Sequence, residues 1–203
     1  MFVDHDRRFF FCHIPKTGGT SITAVLLENL EGHQNPLAQH TTAFDLRKKY
    51  PNYFGFSFVR NVWERERSIY RSTLANRNHH NYRLYRDFEN TDGFSDYIRF
   101  RCRKCKKSPR PIQFQKTFLT DNNGESVLDY IGSFQNVFLD LNHLARRLDF
   151  PSIINVPHLN KTTNDSLISC PYDPTLTSLM QRHFKPDFDF LTNVCPSEPQ
   201  QCL

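Results

Sequence analysis

The chain contains no apolar run near the roughly 20 residues needed to cross a bilayer, so no part of it reads as a transmembrane segment. It does not open like a secretory signal either. Met1-Phe2-Val3-Asp4-His5-Asp6-Arg7-Arg8 is charged and leads straight into a strand-like stretch. A soluble, cytoplasmic protein is the expectation. Internal repeats and Gly/Ser linkers are also missing, and 203 residues suffice for one domain with a core. We expect that domain to occupy 1–194, with a polar, flexible tail at 195–203. Tryptophan occurs once and methionine twice against 19 phenylalanines, so Phe is expected to fill much of the core.

Cysteine is present without a framework. Six residues, Cys12, Cys102, Cys105, Cys170, Cys195 and Cys202, show no spacing typical of a disulfide scaffold. Cys102 and Cys105 form a lone CxxC, and Cys195 and Cys202 do not complete a zinc set with it. Free thiols are expected, with a local Cys102–Cys105 disulfide or a weak metal site as the alternative. No acidic cluster suited to a metal is found. The excess of 26 Lys and Arg over 21 Asp and Glu, with a pI of about 8.9, favours an anionic ligand. There is no interleaved Arg/aromatic repeat, so nucleic acid is not indicated.

The elements that are present alternate. Residues 8–14 (RFFFCHI) form an apolar, aromatic run that predicts a buried strand ending at a Pro/Gly turn. Ile22, Val25, Leu26 and Leu30 then share one helical face over 20–30, and a second helix is expected at 41–49. Residues 53–59 (YFGFSFV) predict a second strand, followed by a helix over 62–74 with Asn61 as its N-cap. Trp63, Tyr70 and Leu74 are its expected buried residues. A short helix near 94–100, a third strand at 127–134, a helix through Val137, Leu141, Leu144 and Leu148, and a last helix at 174–184 complete the series. This order predicts an α/β fold, a single-domain, three-layer arrangement with a mostly parallel central sheet flanked by helices.

Two motifs carry chemistry. Ile14-Pro15-Lys16-Thr17-Gly18-Gly19-Thr20-Ser21 follows the first strand and opens the first helix. Its glycines let backbone amides approach an anion, and the helix N-terminus points partial positive charge at the same place. Thr17, Thr20 and Ser21 add hydroxyls, and Lys16 adds a mobile cation. Lys16 precedes both glycines, unlike the Lys of a GxxxxGK[ST] triphosphate loop. The second motif is Phe58-Val59-Arg60-Asn61-Val62-Trp63-Glu64-Arg65-Glu66-Arg67-Ser68. Arg60 stands at the carboxyl end of a strand, where ligands of open α/β sheets bind, and Ser68 lies two helical turns on. Guanidinium and hydroxyl suit a second phosphate. Glu64, Arg65, Glu66 and Arg67 alternate in sign and read as an exposed, salt-bridged helix face.

Together these motifs resemble the sulfotransferase superfamily, and more closely its carbohydrate-acting branch, sulfotransferase family 2. The resemblance implies a P-loop-like fold and use of the donor 3′-phosphoadenosine-5′-phosphosulfate (PAPS), with its desulfated product PAP and no metal. It assigns residues 14–21 to the 5′-phosphosulfate loop, and Arg60 and Ser68 to the 3′-phosphate site. It extends to Pro111-Ile112-Gln113-Phe114-Gln115, to Tyr130-Ile131-Gly132-Ser133-Phe134, and to residues 156–162, a loop expected to close over the nucleotide through Asn160 and Lys161. Val62 stands where the family usually has Pro, Gln135 where it usually has Glu, and residues 76–110 match nothing in it.

Sulfuryl transfer needs in-line attack by a hydroxyl, a base for its proton and cations for the leaving phosphate. Lys16 is the candidate cation and His40, in its His-Thr-Thr-Ala context, the candidate base, with a surface histidine at a helix start as the alternative. His13 is expected to be packed in the first strand; His79, His80 and His158 fall in loops, and His158, inside the closing loop, is placed to touch a ligand. The acceptor implied is a carbohydrate hydroxyl. The basic run 99–107 suits either an acidic acceptor or a solvated surface. A kinase using ATP and magnesium, and a catalytically silent glycan-binding relative, stay open as alternatives at this point.

Overall fold

The computed structural model describes residues 1–30, 33–34, 40–75, 93–104, 114–153, 155–157 and 172–195. They divide into two compact units. The first draws on 1–60, 115–157 and 190–195, the second on 61–75, 93–104, 114 and 172–189.

The first unit is built on a sheet of order β3-β1-β2-β4-β5. The strands are β1 (Phe2–Asp4), β2 (Phe9–Cys12), β3 (His33–Gln34), β4 (Phe54–Val59) and β5 (Tyr130–Ser133). β2, β4 and β5 are parallel, in registers that pair Cys12 with Ser57 and Val59 with Ser133. β1 is antiparallel to both β2 and β3, extending one side of the sheet. The α/β class follows the expectation. The antiparallel side does not appear in it, because strands of three and two residues are too short to show a period. β5 is also shorter than the apolar run at 127–134, since the Val127 N–H turns to the Leu119 carbonyl at 3.1 Å.

The first strand explains the three layers. Along β2 the side chains alternate: Phe9 and Phe11 face one side, Phe10 and Cys12 the other. Phe9 and Phe11 join Phe56, Phe58 and the apolar faces of α1 (Gly19–Asn29) and α6 (Val137–Leu148). Phe10 and Cys12 join Met1, Val3 and the Ala43 and Leu46 face of α2 (Ala43–Lys49). Rings stack within the first cluster, with the centroids of Phe11 and Phe56 5.4 Å apart. Phenylalanine does supply the core, as its abundance predicts. A short helix, α5 (Gln115–Leu119), also belongs to this unit.

The second unit is helical among its described residues: α3 (Val62–Ala75), α4 (Gly93–Lys104), α7 (Pro174–His183) and the first turns of α8 (Lys185–Val194). Asn61 is the N-cap of α3, its Oδ1 accepting from the Glu64 N–H at 3.0 Å. Trp63 and Tyr70 are buried, Leu74 only partly. One expectation fails here. Arg65 and Glu66 are not on an exposed face but are 2% and 0% exposed. Glu66 accepts from Tyr97 Oη at 3.1 Å and takes a two-point ion pair from Arg101, Nε to Oε2 and Nη2 to Oε1, both 3.1 Å. Alternating signs hid this, because helix partners three and four residues apart explain the same pattern. Glu64 and Arg67 do pair in that local way. Helix α4 also runs past the expected 94–100 to Lys104, and its Arg101 belongs to this buried pair rather than to a solvated run.

Candidate functional site

The three parallel strands end at the same edge of the sheet, and each hands its chain to a piece of the site. β2 leads through His13 into the loop 14–21, β4 into Arg60, and β5 into Phe134. This is the edge where open α/β sheets bind ligands.

The loop alternates between left-handed and ordinary backbone. Lys16 and Gly18 have φ of 70° and 80°, while Thr17 between them does not have a positive φ. Alternation of this kind turns successive N–H groups toward one point, the nest geometry that binds phosphate-like anions. A lysine in the left-handed region costs about 1–2 kcal/mol relative to an ordinary helical conformation. Thr17 is buried, and its hydroxyl donates to the Ile14 carbonyl at 3.1 Å, bracing the turn from inside. That commits its side chain to the loop and leaves its backbone to the cradle. Pro15 and Lys16 are half-buried, Thr20 is exposed and Ser21 half-buried.

Helix α1 completes the cradle. Its N-cap is Gly18, which has no side chain to cap it, and its first turn contains no acidic residue. The amides there meet no competing carboxylate from their own helix, and the helix dipole adds positive potential. Both glycines are required by their neighbours. A Cβ on Gly18 would sit 2.6 Å from Phe134 Cε2, and one on Gly19 would overlap the His13 ring.

His13 is buried, as expected of a packed histidine, and lies just past the end of β2. Its ring is stacked on Phe11 and meets the His40 ring edge-on, with centroids 6.1 and 5.0 Å apart. Burial pushes its pKa down to about 3, with the charges of His40 and of the N-terminal amine adding to the effect. His40 is exposed as a residue, yet its Nδ1 lies 3.3 Å from the His13 carbonyl oxygen. A carbonyl only accepts, so Nδ1 carries the proton and Nε2 is the basic nitrogen of the neutral ring. Desolvation of the imidazole lowers its pKa, partly offset by that hydrogen bond.

Arg60 is held at both ends. The buried Gln115 pairs with its peptide, accepting from Arg60 N–H at 2.9 Å and donating to its carbonyl at 2.8 Å. The guanidinium lies over the Phe134 ring, 4.5 Å from the centroid. Neither Gln115 nor Phe134 was assigned a role from sequence. The signal for Phe134 was its place one residue past the third parallel strand, the counterpart of Arg60 past the second.

The structure thus brings the loop 14–21, His40 and Arg60 into one unit. Ser68 lies on α3 in the other unit, half-buried at that helix's second turn. Asn160 and Lys161 lie outside the described residues, as do His79, His80, His158, the segment 111–113 and the basic residues Lys106 and Lys107. Cys12, Cys102 and Cys195 are buried and not disulfide-bonded, and Cys105, Cys170 and Cys202 lie outside the described residues. Among the described residues no helix is long and apolar enough to cross a membrane.

Comparison with known families now bears on this geometry. The model of the sulfotransferase family matches residues 1–191, nearly the whole chain. The protein belongs to the sulfotransferase family. No individually characterised protein and no solved structure matches it. Membership makes the chain a transferase and implies PAPS-dependent sulfuryl transfer, which decides against the ATP-using kinase alternative.

Proposed function

We propose that this sulfotransferase holds PAPS with its 5′-phosphosulfate on the loop 14–21 and its 3′-phosphate on Arg60 and Ser68, and transfers the sulfuryl group to a carbohydrate hydroxyl. The observation that carries the donor half is the N-terminus of α1, which opens on Gly18 with no side-chain cap and no acidic residue in its first turn. A helix start without a side-chain cap, positive φ at Lys16 and Gly18, and two glycines that admit no Cβ support an anion there. Asn160 and Lys161 are proposed to close over the nucleotide.

The donor supplies an activated sulfuryl group whose transfer breaks the bond from sulfur to the bridging phosphate oxygen and forms one to the acceptor oxygen. His40 Nε2 takes the acceptor proton. Its partner bond at Nδ1 fixes the ring, and its lowered pKa keeps it unprotonated at neutral pH. Lys16 and the amides of Gly18–Ser21 meet the charge that grows on the leaving phosphate. The positive net charge of +5 supports an anionic donor and an acidic glycan acceptor alike.

Incubation with radiolabelled PAPS and a panel of glycans, phenols and peptides tests the proposal. Label on a glycan hydroxyl is the expected result. Label confined to phenols or peptides would overturn the acceptor assignment, and failure to bind PAP would overturn the donor assignment.

A further inference from the structure

We infer that Phe134 is a positioning residue that sets the separation between the two phosphate-binding points of the donor site. This rests on the reading of Arg60 as the 3′-phosphate ligand. Two independent contacts on one ring lead to it.

On one side, the ring closes on Gly18. The Cε2 and Cδ2 atoms come within 2.6 and 2.9 Å of where a Cβ would stand, so the loop backbone rests directly on the aromatic edge. On the other, Arg60 lays its guanidinium on the ring at 4.5 Å. The aromatic face attracts the cation and holds it close to the ring. The ring therefore constrains where the Arg60 guanidinium can lie relative to the loop that rests on its other edge.

The ring itself is anchored at its backbone. The Phe134 N–H donates to the Val59 carbonyl at 2.8 Å, the residue immediately before Arg60. Gln115 fixes the Arg60 peptide from its other side. Phe134, Val59 and Arg60 thereby form a closed circuit of contacts, with Gly18 joined to it at the ring and Gln115 at the Arg60 backbone, all in one unit. A ligand with phosphates on both points is recognised by a fixed span, whereas a ligand with a 5′-phosphate alone uses only the loop.

The experiment compares PAP with adenosine 5′-phosphate by calorimetry on wild type, Phe134→Leu, Phe134→Met and Phe134→Tyr. Leu and Met remove the aromatic face, and Tyr keeps it. We expect PAP binding to weaken roughly threefold to thirtyfold in the Leu and Met variants, the range that loss of a cation–π contact covers. Binding of adenosine 5′-phosphate stays within about twofold in both, and the Tyr variant stays near wild type for both ligands. Equal weakening of both nucleotides, or no weakening of either, overturns the inference. A third measurement is the Arg60→Lys and Phe134→Leu double-mutant cycle. Additive effects on PAP binding would mean that the ring does not act through Arg60 and would equally overturn it. If wild type itself binds PAP no better than adenosine 5′-phosphate, the 3′-phosphate reading falls, and this inference falls with it.

Discussion

The Nδ1 of His40 lies 3.3 Å from the backbone carbonyl oxygen of His13, the residue whose ring also walls Gly19 in the anion loop. One short segment after β2 therefore orients the candidate base and shapes the donor cradle. Because Nδ1 is the donor in this pair, the lone pair resides on Nε2. His40→Asn should lower kcat by about 10²- to 10⁴-fold, the usual contribution of a positioned base, with PAP binding little changed. Because the imidazole pKa is lowered from 6.5, the acid limb of the wild-type kcat/KM profile should fall below that value. The limb should vanish in the variant. A limb that persists in His40→Asn would assign the titration elsewhere.

Gly18 tests how tightly the loop is packed. Its φ of 80° disfavours any side chain, and an added methyl would meet the Phe134 ring. Gly18→Ala should cost about 1–3 kcal/mol of stability, measured by urea unfolding. The ring can yield only by shifting under Arg60, so PAP affinity should fall as well.

The strand–loop–helix junction that carries the proposed donor loop was legible in sequence, because glycines, a lysine and hydroxyls mark such a turn. The three parallel strands were legible for a related reason, since aromatic runs such as FFFC and FGFSFV fit a sheet buried on both faces. What could not be read were relations between distant segments. Nothing in the spacing of Gln115 and Arg60 indicates that one would clamp the peptide of the other. The buried state of Glu66 was equally invisible, because its partners Tyr97 and Arg101 come from a helix some thirty residues away. His13 was legible as packed, but its two-sided contact with Gly19 and His40 depends on the path of the chain at residue 40.

Glu66 and Glu64 are two residues apart and should behave very differently. Glu66 is fully buried and holds Arg101 and Tyr97. Glu66→Ala leaves Arg101 without that carboxylate, and buried Arg65 loses one of its two acidic neighbours, Glu66 and Asp187, so the expected loss is about 3–5 kcal/mol. Glu64 pairs with Arg67 on a partly exposed face, and Glu64→Ala should cost less than about 1 kcal/mol. Thermal or denaturant unfolding of both variants checks the contrast. Similar losses would mean that burial of the Glu66 pair is not what holds α3 to α4.

Lys16 combines strain with function. Its left-handed backbone suits glycine better than lysine. Lys16→Gly should therefore leave stability unchanged or raise it by up to about 1 kcal/mol. The same change removes the ammonium proposed to meet the leaving phosphate, and kcat should fall by about 10²- to 10³-fold. A variant that is both less stable and fully active would contradict both halves of that expectation.

His13 gives the folded state a pH dependence whose sign can be worked out. Its pKa is about 3 in the fold and 6.5 in the unfolded chain. Between those values the unfolded chain binds a proton that the folded one does not, so stability falls as pH drops through the window. At pH 5 the folded ring is still neutral, and the unfolded state has gained about 2 kcal/mol relative to pH 7 from this one group. The groups facing it are His40 and the N-terminal amine, and protonation of either opposes a charge on His13. His13→Gln keeps a neutral polar side chain without a proton to take up. Urea midpoints at pH 5 and pH 7 should then differ less in the variant than in wild type, by about 2 kcal/mol in unfolding free energy. Equal differences in the two proteins would mean that His13 titrates normally in the fold, and that its ring is not sealed between Phe11, Gly19 and His40.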